Sequence, residues 1–212
     1  MNRRFTWLLR SFLAAWALLT AAVTSADQPG RFDYYVLALS WSPQYCASEA
    51  RPGDPQCVRP YAFVVHGLWP QNERGWPKDC GRGEYLSDRL IANALRFMPS
   101  KSLVIHEWRK HGVCSGLSAS AYFETTERAY RGIRIPVRYQ EINRVMSTSV
   151  AQIENDFLAE NPQFSANMLS SECSGRYFRE LRICLSRSLQ PRRCGQDLRD
   201  RCGTTVLLRP SR

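Results

Sequence analysis

The stretch Phe32-Asp33-Tyr34-Tyr35-Val36-Leu37-Ala38-Leu39-Ser40-Trp41 decides how the rest of the chain is read. Its aromatic and branched side chains predict a strand, and Ser42-Pro43 ends it. Downstream, residues 47–60 mix prolines and a glycine with polar side chains and predict a disulfide-pinned loop. Tyr61 to Val65 predicts a second strand that runs directly into His66. That imidazole is expected at the strand's end, facing a cleft. Residues 70–84 predict a further loop.

Helical patterns follow. Ser87 is placed to cap a helix through Met98, with Leu90, Ile91, Ala94 and Leu95 on its apolar face. Leu103 to Gly112 predicts a second helix, and Ser120 to about Arg131 a third. Residues 138–158 give the clearest helical pattern, with Ile142, Val145, Met146, Val150, Ile153 and Phe157 at helical spacing. Arg176 to Ser186 and Thr204 to Leu208 predict closing strands. Outer strands with helices grouped between them imply an α+β fold, an antiparallel β-sheet flanked by helices. No internal repeat, low-complexity tract or interdomain linker interrupts the chain, so a single domain is expected.

Residues 1–26 read as a secretory signal. Asn2-Arg3-Arg4 is a positive start, Trp7 to Val23 is mostly apolar, and Thr24-Ser25-Ala26 offers small residues for cleavage. The uninterrupted apolar run after Ser11 is only about a dozen residues, short of the roughly 20 that span a bilayer. No later segment is apolar enough to cross one. The mature part, residues 27–212, has 186 residues (212 − 26), enough for one sizeable core. The signal carries three arginines and no acids, so the mature charge is +7 (10 − 3). Such a surface favours polyanions, nucleic acid or an anionic membrane. All eight cysteines, Cys46, Cys57, Cys80, Cys114, Cys173, Cys184, Cys194 and Cys202, lie in this part. Behind an export signal they imply four disulfides and a secreted or periplasmic home. Eight cysteines allow 105 pairings, and spacing alone selects none.

The chain has three histidines, and two fall in His106-Glu107-Trp108-Arg109-Lys110-His111. On an α-helix, His106, Lys110, Glu107 and His111 occupy one sector at roughly 0°, 40°, 100° and 140°. Trp108 is left to anchor the opposite face. The segment superficially suggests a zinc peptidase, but its spacing is HExxxH. Histidines diverging by about 140° cannot easily chelate one ion, and Lys110 would set a cation beside it. No CxxC occurs elsewhere, so no metal and no cofactor are expected. Cleavage of an RNA phosphodiester suits these groups better. The 2′-hydroxyl must lose a proton, the departing 5′-oxygen must gain one, and the phosphorane carries extra negative charge. A neutral imidazole, a protonated one and nearby cations meet those needs.

His66-Gly67-Leu68-Trp69-Pro70 and His106-Glu107-Trp108-Arg109-Lys110-His111-Gly112-Val113-Cys114 resemble the two active-site signatures of the ribonuclease T2 family, secreted acid endoribonucleases of low base preference. Leu37-Ala38-Leu39-Ser40-Trp41-Ser42-Pro43 and the eight cysteines also fit. The resemblance implies that His66 is the general acid for the leaving 5′-oxygen and His111 the base that takes the 2′-proton. His106 would hold the phosphate, and Glu107 and Lys110 would steady the transition state. It implies RNA as partner, 2′,3′-cyclic phosphates converted to 3′-phosphates, and α+β architecture. Trp69 is expected beside the substrate, where stacking on a base would contribute about 1–3 kcal/mol. Val113 departs from the family's usual threonine, which touches local packing only. Gln71-Asn72-Glu73 lies where base preference varies, leaving it open. By the same resemblance Cys80 pairs with Cys114. Cys46–Cys57 across the local loop, and Cys184–Cys194 nested inside Cys173–Cys202, complete the expected set. A monomer is expected.

Overall fold

The computed structural model describes residues 27–211, so the expected signal, residues 1–26, lies outside the described residues. Strand β1 (Tyr34–Trp41) leads into α1 (Ser42–Ser48), where Pro43 occupies the first helical turn and its missing N–H costs nothing. Then come β2 (Phe63–Gln71), α2 (Asp88–Ala94) and α3 (Lys101–Glu107). A π-helical turn, Trp108–Gly112, extends α3. The order ends with α4 (Ala119–Arg131), β3 (Met146–Ser149), α5 (Val150–Glu160), β4 (Leu169–Ser174), β5 (Tyr177–Leu185) and β6 (Thr205–Leu208).

These elements make one α+β domain around a sheet ordered β2-β1-β5-β6-β3, with β4 also on β5. Pairing is antiparallel except between β5 and β6, which touch in parallel at Tyr177 and Leu207. Strand β1 lies between β2 and β5 and is buried on both faces. Tyr35, Leu37, Leu39 and Trp41 enter the main core, while Tyr34 and Val36 pack on Cys184. Its near-continuous apolar run therefore reflects a central strand.

The sheet's most consequential irregularity is in β2. Leu39 pairs with Val65 and Ala38 with Gly67, so His66 is the extra residue of a β-bulge. The bulge switches the alternation. Phe63 and Val65 enter the main core before it, and Leu68 after it. His66 is thus not at a strand's end, as the sequence suggests, because the strand runs on to Gln71.

The stretch 138–158 is not one helix. Residues 146–149 form β3, paired antiparallel with β6, and only Val150–Glu160 is helical. Ser149 sets the boundary, because its hydroxyl accepts the Gln152 N–H as an N-cap. Val145 is exposed rather than core. Helix α4 starts from Ser118, whose hydroxyl accepts the Ala121 N–H. Helix α2 ends at Ala94, short of Met98. Four disulfides brace the frame: Cys46–Cys57, Cys80–Cys114, Cys173–Cys202 and Cys184–Cys194. Among the described residues no helix is long and apolar enough to cross a membrane.

Candidate active site

A cleft of about 360 Å³ gathers His66 and Trp69 of β2, His106 and Glu107 of α3, and Lys110 and His111 of the π turn. His66, Trp69, His106, Glu107, Lys110 and His111, the residues expected to contact or transform the substrate, therefore line one cavity. Arg179 and Arg182 of β5, and Arg201 near the C-terminus, add positive charge to its wall. Among the described residues, no group of three or more His, Cys, Asp or Glu side chains is arranged to hold a metal ion.

Residues 106–111 do not form the single regular α-helix that the sequence suggests. Beyond Glu107 the chain closes i→i+5 hydrogen bonds. A π turn rotates less per residue, so side chains five apart return toward one side. His106 and His111 are five apart, and both reach the cleft. The widened turn is packed from below by Trp108, which is 3% exposed and donates its indole N–H to the Glu84 carbonyl at 2.9 Å. Gly112 lies against the Trp108 ring, where any Cβ would collide. The Cys80–Cys114 bridge fixes the far end.

His66 stands between two buried carboxylates. Its Nδ1 is 2.6 Å from Glu180 Oε2, and its Nε2 is 3.6 Å from Glu107 Oε1. Glu107 is fully buried, and its Oε2 accepts the Trp69 indole N–H at 2.7 Å. Among the described residues its Oε1 has no hydrogen-bond partner. Gly67 makes this approach possible, since a Cβ there would overlap Glu107 Oε2. Trp69 also packs near both imidazoles, with ring centroids 5.1 Å from His66 and 5.3 Å from His111.

The electrostatics separate the titrating groups. Burial disfavours His66 as a cation, but the Glu180 carboxylate and then Glu107 outweigh it and raise its pKa above the usual 6.5. Burial pushes His111 the other way, to about 3, aided by Lys110 and His66. His106 is lowered by burial and by Lys110. Burial lifts Glu107 to about 7 against the pull of His66. Glu180, despite its burial, is held at about 2 by His66 and Arg182. Two imidazoles in one cleft thus prefer opposite protonation states, the arrangement expected of an acid and a base sharing a reaction.

Sequence reading missed Glu180. In Glu180-Leu181-Arg182-Ile183 the polar side chains alternate with apolar ones, which normally marks a solvent face. Here that face is covered: Glu180 is 1% exposed. Only the pairing of β5 with β1, which sets Glu180 opposite Ser40, brings it to His66.

The family model described as the Ribonuclease T2 family matches residues 32–194. A protein named Ribonuclease from Aeromonas hydrophila is 46% identical over 116 residues, 55% of this chain and 52% of that protein. A probable ribonuclease of Haemophilus influenzae is 34% identical over 145 residues, 59% and 53% of the two. The chain spans about half the length of these curated relatives. Among solved structures, the RNase-related protein from Calystegia sepium superposes with a TM-score of 0.68 at 24% identity, over 85% of this chain and 98% of that one, a likeness of fold.

Proposed function

Because the chain belongs to the ribonuclease T2 family, we propose that it is a metal-independent endoribonuclease acting on single-stranded RNA. His111, kept neutral by its surroundings, takes the proton of the 2′-hydroxyl as that oxygen attacks phosphorus. The P–O5′ bond breaks, and protonated His66 gives its proton to the departing 5′-oxygen. His106 holds the phosphate, and Lys110 with Glu107, the latter held by Trp69, steadies the transition state. The product is a 2′,3′-cyclic phosphate. In a second step water attacks phosphorus as His66 takes its proton, the P–O2′ bond breaks and His111 protonates the departing 2′-oxygen, leaving a 3′-phosphate. Trp69 and His106 are the proposed substrate contacts.

One observation carries this reading. Three imidazoles, Glu107 and Lys110 line a single cleft, and two of the imidazoles are driven to opposite charge states. The four disulfides, with an export signal read in residues 1–26, support a secreted or periplasmic domain over 27–212. The decisive experiment is digestion of a defined oligoribonucleotide with EDTA present. Cyclic phosphates should appear first and 3′-phosphates later, and His111→Ala should lose about 10²–10⁴-fold of the rate. Undiminished activity in that variant, or loss of activity with EDTA, overturns the reading.

A further inference from the structure

We propose that Glu180 is a positioning residue for the reaction, the group that orients His66 and presents its Nε2 proton to the leaving oxygen. The inference rests on the ribonuclease reading above and adds a residue that neither histidine signature contains. Both oxygens of Glu180 are committed. Oε2 meets His66 Nδ1 at 2.6 Å, and Oε1 accepts the Arg182 Nε–H at 2.8 Å. Arg182 is itself anchored, donating from Nη1 to Glu172 Oε1 at 2.6 Å. Glu172 lies directly opposite Glu180 across the β4–β5 pair. Two facing carboxylates on neighbouring strands repel, and the guanidinium between them removes that cost. The carboxylate that holds His66 therefore cannot swing away without abandoning an ion pair inside the sheet.

This support matters because of where His66 sits. A bulge residue lacks the paired backbone that normally fixes a side chain's direction. Glu180 supplies the restraint through the ring: with Nδ1–H donating to Oε2, Nε2 is left turned toward the cleft. The groups facing this imidazole are of both signs. Glu180, Arg179 and Arg182 come from β5, and Glu107, His106, Lys110 and His111 come from α3 and the π turn. Arg201 and Asp197 close the wall from the C-terminal loop. Of the carboxylates, Glu180 is in direct contact with the ring and Glu107 stands farther off.

The test uses two substrates of one nucleoside 3′-phosphate, a dinucleotide and a 4-nitrophenyl ester. Nitrophenolate departs without being protonated, so it bypasses the general acid. Glu180→Gln should cut kcat on the dinucleotide about tenfold to a hundredfold, less than the 10²–10⁴-fold of losing a proton carrier itself. It should leave the nitrophenyl ester nearly untouched and move the alkaline limb of the dinucleotide profile to lower pH. Glu180→Asp, which keeps the charge, should restore much of the limb and guards against misfolding of the first variant. A merely structural role would lower both substrates together and leave the limb in place, which overturns the proposal. If the wild type cleaves neither substrate, the ribonuclease reading fails and takes the positioning role with it. An active wild type with an unaffected Glu180→Gln sinks the positioning role alone.

Discussion

His66 and His111 differ less in sequence context than in what surrounds them, and that difference sets a pH signature. His111 holds its proton only below about 3, so the base form persists deep into the acid range. His66 keeps its proton above 6.5 because Glu180 and Glu107 outweigh burial. The rate should be full between those limits, fall on the acid side as His111 protonates, and fall on the alkaline side as His66 deprotonates; kcat/KM of a dinucleotide against pH measures it. An alkaline limb below 6.5 would contradict the ion pair. Gly67 is equally specific. Gly67→Ala must displace Glu107 or bend β2, so it should cost about 1–3 kcal/mol in urea unfolding and depress activity along with stability. At this scale the residues that line the cleft are largely legible, because the two histidine segments announce themselves. Glu180 is not, because its role depends on strand register and not on any local pattern.

Elements were legible where one face decides them. The run Tyr34–Trp41 is a strand because it is apolar on both sides, as a central strand must be. Over 138–158 only the part from Val150 is helical, because apolar residues continue through a change of element. Met146 belongs to a strand and Val150 to a helix, and only the Ser147-Thr148-Ser149 run between them hints at the join. Strand β4 escaped notice because Ser170 and Ser171 are buried by neighbouring strands, not by hydrophobicity. The join is testable: Ser149→Ala removes the cap of α5 and should lower stability by about 1 kcal/mol in urea unfolding with activity preserved. The π turn was invisible to a helical wheel, since nothing in Trp108–Gly112 except the Trp108–Gly112 packing signals extra width.

The molecule as a whole carries the cost of its site in its acid stability. Glu180 is depressed from 4.5 to about 2, so its contribution is present above 4.5 and is lost as pH falls through about 2. Glu107 has the opposite sign. Raised from 4.5 to about 7, it favours the folded state while protonated, a contribution lost as pH rises through about 7. The urea midpoint of Glu180→Gln should therefore change less than that of the wild type between about pH 5 and pH 2. The cysteine pattern has a consequence for biogenesis. Cys46–Cys57 and Cys80–Cys114 join neighbours in the order of synthesis, but Cys173 must skip two thiols to reach Cys202. An oxidant that links thiols as they emerge would couple Cys173 to Cys184 and strand the last two together. Chain synthesised in a translation extract under such an oxidant alone should consequently carry mispaired thiols between Cys173 and Cys202 beside correct Cys46–Cys57 and Cys80–Cys114 bridges, and adding a shuffling agent should restore the native set, as disulfide mapping would show.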